Sequence, residues 1–509
     1  MTAMTSALEF EAFRAAYDAG RPQVVWRILV ADLETPVSAF MKLAGGQSHT
    51  FLLESVEGGA VRGRYSVLGM KPDLIWKCQG NRAWINRDAR TRPDDFIPCP
   101  VAEDEGALAS FRALVAESRV DIPPHLPPMS AGLIGYMSYD MVRLVEKLPD
   151  GNPDVIGVPD GIFMRPTVMA MFDNVNGTLT AVVPVWPRAG IDARAAYDLA
   201  HERLEHVVEA LDRPLPSPSE FIDHAGHVPT PVPSMSREEY CAKVLKAKEY
   251  IAAGDIFQVV LSQRLAVPFK LPPFSLYRAL RRMNPSPFLF FLNFGGFQLV
   301  GSSPEILVRL RDDTVTIRPI AGTRRRGLTQ TEDDELAADL LADPKELAEH
   351  LMLLDLGRND VGRVAEIGSV KVTKKMIVEY YSHVMHIVSN VEGRIRKDCD
   401  AMDALMAGFP AGTTSGAPKI RAMEIIDELE PERRSFYAGS IGYFAGNGNM
   451  DTCIALRTTL IKDGTMYVQA GAGIVADSDP EKEHEECMNK ARALVRAAEE
   501  AINYTQSKR

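Results

Sequence analysis

The sequence lacks the cysteine pairs and long apolar runs that define several large classes of protein. Its six cysteines are scattered and include no Cys-x-x-Cys pair, which favours reduced thiols over a disulfide framework or a zinc site. The most apolar stretch, residues 288–300, is interrupted by Asn293, Gly295 and Gly296 and is too short to span a membrane. The first residues show neither a basic head nor a long apolar run, so we expect no signal peptide and a cytoplasmic location.

The sequence also lacks a basic excess. It has 68 acidic and 57 basic residues, a net charge of −11, and one short basic cluster at residues 324–326. A nucleic-acid-binding protein usually carries a net basic surface, so nucleic acid is not an expected partner. With 46% hydrophobic residues in 509, the chain can bury a large core and form roughly two to four domains.

A proline-rich connector over residues 212–235 is the clearest boundary in the sequence. It contains six prolines, and proline is poorly tolerated inside a helix or a central strand. We therefore expect an N-terminal region over residues 20–211 and a second domain over residues 236–503.

Short apolar segments separated by turn signals predict strands on both sides of the connector. A helix is expected directly after it, because Ser236 and Glu239 form a capping box. The strands do not alternate regularly with helices, which favours an α+β fold over a doubly wound parallel sheet. The predicted strands cover residues 50–53, 65–68, 74–77, 178–183, 256–261, 288–292, 314–317, 440–444 and 466–470.

Two further helices are predicted to share one construction. They begin at Asp343 and Asp479, each a capping residue followed by proline. Each carries two glutamates three residues apart, on one helix face, and Lys490 lies near that face in the second helix. Such acids are often explained by the helix dipole alone, but two converging pairs would suit Mg²⁺. The four residues are Glu346, Glu349, Glu483 and Glu486.

Small residues in three segments can bring backbone N–H groups close to a ligand. Residues 412–416 precede a predicted helix, and a helix N-terminus binds carboxylate or phosphate, although a plain helix cap explains them equally well. Gly322 and Thr323 are predicted in a loop after a strand, and Gly471 and Gly473 at the end of another strand. Glycine there permits close backbone approach or marks a bulge.

Three more side chains are candidates for acid–base or anion chemistry. Arg457, in a predicted strand, can bind a carboxylate bidentately, although a salt bridge or exposure to solvent is the more usual role. His383 and His386 are expected on opposite faces of a strand, because their spacing is odd. One of them can act as an acid or a base, and a purely structural histidine is the alternative.

Seven segments, taken in order, carry a resemblance to a known family. They are PIAGTRRRG, EHLMLLDLGRNDVGRV, HVMHIVSNVEG, FPAGTTSGAPK, YAGSIGYF, CIALRTTL and QAGAGIVADSDPEKEHEECMNKA. Their series resembles the chorismate-utilising enzymes over about residues 236–500. The resemblance implies two orthogonally stacked antiparallel β-sheets flanked by helices, with an interwoven N-terminal regulatory domain.

Within that family, the segments LLES (residues 52–55) and NPSP (residues 284–287) resemble the large subunits of anthranilate synthases. Such a subunit is an oxo-acid lyase that converts chorismate and ammonia to anthranilate and pyruvate with Mg²⁺. This reaction is the first committed step of tryptophan biosynthesis, one of the aromatic amino acid pathways. The implied assembly is a heterotetramer with a glutamine amidotransferase small subunit, because no cysteine here sits in a GxCxG-like context that would supply ammonia.

The resemblance also implies roles for individual residues. Glu349 and Glu486 match the Mg²⁺ ligands, and Glu346 and Glu483 support them. His386 rather than His383, Thr413 and Lys490 match catalytic positions. The substrate-binding positions are Gly322, Thr323, Gly416, Tyr437, Arg457, Gly471, Ala472 and Gly473. A tryptophan effector pocket, implying feedback inhibition, is formed by Glu54, Ser55, Pro287, Phe288 and Leu289.

Two positions separate this chain from other chorismate-utilising enzymes. Isochorismate and salicylate synthases have a lysine base where Gln258 stands, and glutamine cannot act as a base. Aminodeoxychorismate synthases often have a nucleophilic lysine where Ala321 stands. Both positions favour the anthranilate reaction. An aminodeoxychorismate synthase of the folate pathway and a non-catalytic, tryptophan-sensing paralogue are the alternatives.

Overall fold

Antiparallel strands and helices are mixed along the whole described chain. The computed structural model describes residues 3–6, 9–57, 61–216, 230–381 and 384–505. Residues 217–229 of the predicted connector, and His383, lie outside these ranges. The predicted α+β class is confirmed. None of the helices in the described part is both long and apolar enough to cross a membrane.

Twelve α-helices and four short 3₁₀ helices lie in the described ranges. The α-helices are α1 (Phe10–Asp18), α2 (Pro36–Leu43), α3 (Pro100–Glu105), α4 (Ala107–Glu117), α5 (Ala193–Asp212), α6 (Arg237–Ala252), α7 (Pro273–Met283), α8 (Gln330–Ala342), α9 (Pro344–Gly362), α10 (Ala401–Gly408), α11 (Lys419–Leu429) and α12 (Pro480–Glu500). The 3₁₀ helices are Pro128–Ser130, Tyr139–Leu144, Gly412–Thr414 and Ala501–Tyr504.

The described residues also form 25 strands. They are β1 (Ala3–Ser6), β2 (Gln23–Val30), β3 (Thr50–Glu54), β4 (Val56–Glu57), β5 (Val61–Arg62), β6 (Tyr65–Gln79), β7 (Arg82–Asn86), β8 (Ile97–Pro98), β9 (Gly132–Met137), β10 (Gly161–Asp173), β11 (Thr178–Val185), β12 (Val232–Pro233), β13 (Gln258–Pro268), β14 (Phe288–Asn293), β15 (Gln298–Ser303), β16 (Ile306–Arg311), β17 (Thr314–Ile317), β18 (Ile320–Arg325), β19 (Lys371–Tyr380), β20 (Val384–Arg394), β21 (Gly416–Ala417), β22 (Ser440–Ala445), β23 (Met450–Ile454), β24 (Thr458–Lys462) and β25 (Thr465–Ile474).

The two halves of the chain are interwoven through their strands. Twenty-three strands join in one hydrogen-bonded antiparallel network, and β4 and β5 form a separate ribbon. Strand β3 of the N-terminal region pairs with β14, placing Glu54 opposite Leu289. Strand β9 likewise pairs with β22, placing Tyr136 opposite Ile441. Two large hydrophobic cores fill the space between the strands and helices.

Local capping fixes the helices that carry the candidate site. Ser236 and Glu239 form the predicted capping box at the start of α6. Asp343 accepts hydrogen bonds from the first backbone N–H groups of α9, and Asp479 does the same for α12. Each such cap contributes about 1 kcal/mol to helix stability.

Three local predictions need correction. Residues 65–68 and 74–77 belong to one 15-residue strand, β6, because its bulge near Pro72 bends the strand without ending it. Gly322 and Thr323 lie in β18 rather than in a loop, because β20 pairs with this segment. Arg457 lies between β23 and β24 rather than within a strand, with φ +46°.

Candidate active site

The two acidic helices meet at their N-terminal ends. Lys345 of α9 and Asp477, just before α12, form an ion pair of 3.1 Å. Burial raises the pKa of Glu349, and the carboxylates of Glu346 and Glu486 raise it further. Burial also raises the pKa of Glu483, with a further contribution from Glu486. The four glutamates therefore lie within electrostatic reach of one another.

Two cations balance part of this charge. Arg324 Nη1 lies 3.1 Å from Glu346 Oε1, and Lys490 Nζ lies 2.8 Å from Glu486 Oε1. As these side chains stand, no three His, Cys, Asp or Glu residues in the described ranges are grouped to hold a metal ion. Glu349 has no cation of its own at ion-pair distance in those ranges, so this donor set fits a hard dication such as Mg²⁺.

His386 lies on β20 directly opposite Thr323 of β18. Its Nδ1 atom is 3.0 Å from Thr323 Oγ1 and 3.1 Å from the Gly322 carbonyl oxygen. Burial lowers the pKa of His386 to about 4, so the ring is neutral at pH 7. A carbonyl oxygen only accepts hydrogen bonds, so Nδ1 carries the proton and Nε2 keeps a free lone pair.

Gly322 stands where the strand pair meets the acidic helix. Its φ is +78°, and a Cβ atom built on it would lie 3.2 Å from Glu346 Oε2. Only glycine adopts this backbone conformation without strain. The strand therefore passes close against the glutamate carboxylate, at a position where the backbone favours glycine.

Strand β25 brings Gly471, Ala472 and Gly473 against β13. A Cβ atom on Gly471 would lie 3.0 Å from the Tyr437 hydroxyl oxygen, and one on Gly473 would lie 2.4 Å from Gln258 Nε2. The Gly471 carbonyl accepts a hydrogen bond of 3.0 Å from Lys490 Nζ. Lys490 therefore connects the glycine strand to Glu486.

The loop at residues 412–416 packs against the same strand, β13. Gly416 pairs with Val259 of β13, and a Cβ atom on Gly416 would lie only 2.1 Å from the Gln258 carbonyl oxygen. The buried amide oxygen Oε1 of Gln258 has no hydrogen-bond partner within the described residues. The loop and the Gln258 side chain thus present unpaired polar groups to the site.

Arg457 is a partly buried cation. Its Nη1 atom donates to Asn284 Oδ1 over 3.3 Å, and burial lowers its pKa. Among the described residues it forms no ion pair with a carboxylate. A partly buried guanidinium in this state is suited to bind the carboxylate of a ligand.

Glu305 is a candidate site residue that sequence reasoning missed. It is 7% exposed, and burial raises the pKa of its carboxyl to about 8. The Thr413 hydroxyl lies beside it and favours its ionised form, yet Thr413 Oγ1 makes no hydrogen bond of ordinary geometry in the described structure. The sequence signal was an acidic residue opening the apolar strand β16.

Comparison with known proteins identifies the family. The sequence profile of a family described as chorismate binding enzyme matches residues 71–496. The chain belongs to this family. It is 60% identical over 495 residues to anthranilate synthase component 1 of Cereibacter sphaeroides, covering 97% of both chains. It is 50% identical to the protein of the same name from Pseudomonas putida, covering 92% of this chain and 93% of that one.

Solved structures agree with this assignment. The crystal structure of anthranilate synthase component I from Streptococcus pneumoniae TIGR4 matches with a TM-score of 0.74 and 38% identity, over 92% of this chain and 98% of that one. The menaquinone-specific isochorismate synthase of Escherichia coli matches with a TM-score of 0.69 at 20% identity, over 94% of this chain and 95% of that one, and shows the fold alone. The predicted resemblance and the prediction of an enzyme are confirmed.

The chorismate-binding enzyme also has a large cavity beside the predicted effector segments. The cavity is about 1180 Å³ and is lined in part by Glu54, Ser55, Pro287, Phe288 and Leu289. The backbone N–H of Val56 donates to the Ser286 carbonyl over 3.1 Å. The two segments, more than 200 residues apart in sequence, therefore form one wall.

Glu54 has a role in this wall that differs from a free ligand contact. Its carboxylate accepts hydrogen bonds from the Tyr277 hydroxyl at 2.6 Å and from Arg281 Nε and Nη2 at 2.6 and 2.9 Å. These partners lie on α7, directly before the NPSP segment. Glu54 is therefore occupied in tying β3 to α7, whereas Ser55 is available to a ligand.

Proposed function

We propose that the chain converts chorismate and ammonia to anthranilate and pyruvate in a Mg²⁺-dependent reaction. The observation that carries this proposal is Arg457, a partly buried cation with no acidic partner in the described structure. Chorismate has two carboxylates. Arg457 and the Tyr437 hydroxyl would bind the enolpyruvyl carboxylate, and the ring carboxylate would face the four glutamates.

Mg²⁺ would be held by Glu349 and Glu486, with Glu346 and Glu483 in support. When bound, it would supply positive charge that stabilises the ring carboxylate as electrons move through the ring. Arg324 and Lys490 would then lose their acidic partners in part. Lys490 would remain anchored to the Gly471 carbonyl.

Glu305 and His386 are suited to opposite proton transfers. Ammonia adds to the ring, and the ring C–O bond to the hydroxyl breaks. With a pKa of about 8, the Glu305 carboxyl is protonated at pH 7 and can supply the proton that converts the departing hydroxide to water. The free Nε2 lone pair of His386 can accept the ring proton whose loss, with release of pyruvate, makes the ring aromatic.

Ammonia would come from a separate glutamine amidotransferase subunit. Such a glutaminase uses a thiolate nucleophile, whereas burial raises the pKa of Cys78, Cys453 and Cys487 here. All six cysteines are unpaired thiols, as expected for an enzyme that works in the cytoplasm. L-Tryptophan would inhibit by binding at Ser55, Pro287, Phe288 and Leu289, with Glu54 holding that wall in place.

The direct test is an assay of the purified chain with chorismate, ammonium and Mg²⁺, followed by anthranilate fluorescence and pyruvate release. Equal amounts of both products, lost on chelation and restored by Mg²⁺, are expected. Chorismate loss without pyruvate would refute the proposal in favour of aminodeoxychorismate formation. No chorismate loss would refute it in favour of a non-catalytic, tryptophan-sensing role.

A further inference from the structure

A buried ion pair between Arg434 and Glu430 lies beside two segments of the candidate active site, the 412–416 loop and strand β13. The side chains of Arg434 and Glu430 are 1% and 4% exposed. Arg434 Nε donates to Glu430 Oε2 over 2.9 Å, and Nη2 donates to Oε1 over 2.6 Å. Desolvation makes such a pair no more stable, as a rule, than apolar side chains of similar volume. A net gain in stability is therefore a weak explanation for it.

The remaining hydrogen bonds of Arg434 reach two segments of the site. Its Nη1 donates to the Thr414 carbonyl over 2.6 Å, and its Nη2 donates to the Val260 carbonyl over 2.7 Å. Thr414 directly follows Thr413 in the 412–416 loop. Val260 is the β13 residue opposite Gly473. One guanidinium thus links the loop to β13, the strand that pairs with the glycine strand β25.

The same pair also supports Tyr437 and Gly471. The guanidinium carbon of Arg434 lies 5.5 Å from the centre of the Tyr437 ring, within the range of a cation–π contact. Glu430 Oε1 accepts hydrogen bonds of 2.8 Å from both the backbone N–H and the hydroxyl of Ser262. Ser262 is the β13 residue opposite Gly471.

We infer that Arg434, together with Glu430, is a positioning residue for the proposed reaction. It sets the relative positions of the 412–416 loop, Tyr437 and the strand pair β13–β25, while making no contact with substrate itself. Only arginine presents five donors in a rigid plane. Lysine would keep the charge but cannot hold Glu430, Thr414 and Val260 in one fixed geometry. This inference rests on the proposed function.

The chain offers a matched control in Arg165. Its side chain is also buried, at 7% exposed, and pairs with the buried carboxylate of Asp73. Arg165 Nε donates to Asp73 Oδ1 and Nη2 donates to Asp73 Oδ2, each over 2.9 Å. Asp73 lies on β6 of the N-terminal region and is not assigned to the substrate site. Arg165→Lys therefore reports the general cost of replacing a buried arginine by lysine.

The experiment compares kcat and KM for chorismate in Arg434→Lys and Arg165→Lys, with melting temperature as the measure of folding. Displacing substrate-contacting groups by about 1 Å costs on the order of 100-fold in rate. We expect kcat/KM to fall about 100-fold in Arg434→Lys, with both kcat and KM affected, at a melting temperature equal to that of Arg165→Lys. Equal losses of kcat/KM in the two variants would overturn the inference.

Chemical rescue provides a second measurement that a merely structural role would not move. Guanidinium should restore kcat/KM in Arg434→Gly by about tenfold or more, because it refills the planar donor site, and should have no such effect in Arg165→Gly. Equal rescue of both, or of neither, would contradict positioning. If the wild type consumes chorismate without forming anthranilate, the proposed function fails, and the same variant ratios in chorismate consumption still test Arg434. If the wild type consumes no chorismate, the chorismate dissociation constants of the variants are compared instead.

Discussion

Asn284 accepts a hydrogen bond from the partly buried guanidinium of Arg457, with 3.3 Å between Oδ1 and Nη1. The backbones of the two residues are joined as well, through Ser302. The Ser302 N–H donates to the Arg457 carbonyl over 3.1 Å, and the Ser302 hydroxyl donates to the Asn284 carbonyl. Arg457 thus connects the proposed substrate site to the first residue of the NPSP segment.

Replacing Arg457 by glutamine should weaken chorismate binding strongly. A charge-assisted bidentate contact is roughly twice as strong as a neutral hydrogen bond, and removing it from a buried site costs roughly 3–5 kcal/mol. We expect kcat/KM for chorismate to fall by at least about 100-fold, mainly through KM. Steady-state kinetics in ammonium measure this. A KM within threefold of the wild-type value would contradict the assigned contact.

Replacing Glu486 by glutamine should raise the Mg²⁺ concentration needed for half-maximal activity by about tenfold or more, because one anionic ligand is lost. Glu481, in the first turn of the same helix, pairs with the exposed Arg237 and serves as the matched control. Glu481→Gln should leave the Mg²⁺ dependence unchanged. Equal shifts in both variants would show that overall helix charge, rather than a metal site, is responsible.

Glu305 should set the alkaline limit of activity. With its pKa at about 8, it loses the transferable proton above that pH, so kcat/KM for chorismate should fall about tenfold per pH unit there. The measurement holds free ammonia constant, because ammonium also titrates in alkali. Glu305→Gln should lose about 10²-fold or more in kcat at pH 7 and show no alkaline limb. If kcat/KM of this variant still falls in alkali, the fall is caused by another titrating group.

The same carboxyl predicts a change of stability with pH. The folded-state pKa of Glu305 lies above the unfolded value of about 4.3. Its contribution to the free energy of unfolding is therefore fully present below that pH and is lost as the pH rises through 8. Urea midpoints should therefore fall between pH 6 and pH 9 in the wild type. The fall should be smaller in Glu305→Gln, and an identical fall in both would contradict the raised pKa.

Local signals made part of this site predictable. The capping aspartates at 343 and 479 set helix starts within a few residues of sequence, so the glutamate pairs could be assigned to helix faces. The positive φ of Arg457 and the placement of Gly322 in a strand were not predictable in this way. Both depend on pairing with segments about 60 to 170 residues distant.

Burial was the other quantity that the sequence could not supply. Glu305 and Arg434 are charged residues in ordinary local sequence contexts. They are buried because elements distant in sequence pack around them. The resemblance named Thr413 and Tyr437, but the groups directly beside them were visible only in the structure. Sequence reasoning therefore identified the residues expected to contact substrate. It missed the buried charged residues beside them, Glu305 and Arg434.

Ser55 should determine how tightly tryptophan inhibits. It lines the 1180 Å³ cavity with Phe288, whereas the neighbouring Glu54 is occupied by Tyr277 and Arg281. A hydrogen bond to a charged group is worth roughly 1.5–3 kcal/mol, so Ser55→Ala should raise the half-inhibitory tryptophan concentration by about tenfold or more. The activity without tryptophan should not change.

Ser286 provides the control for this variant, since it is buried in the NPSP segment and is not among the residues lining the cavity. Ser286→Ala should leave the half-inhibitory concentration within about threefold of the wild-type value, because its buried hydroxyl lies outside the cavity and makes no contact with the ligand. Phe288→Tyr should lower that concentration, since the added phenol hydroxyl supplies a further donor inside the cavity. If Ser55→Ala and Ser286→Ala weaken inhibition equally, the effector binds elsewhere and the wall formed by β3 and β14 acts only as a support.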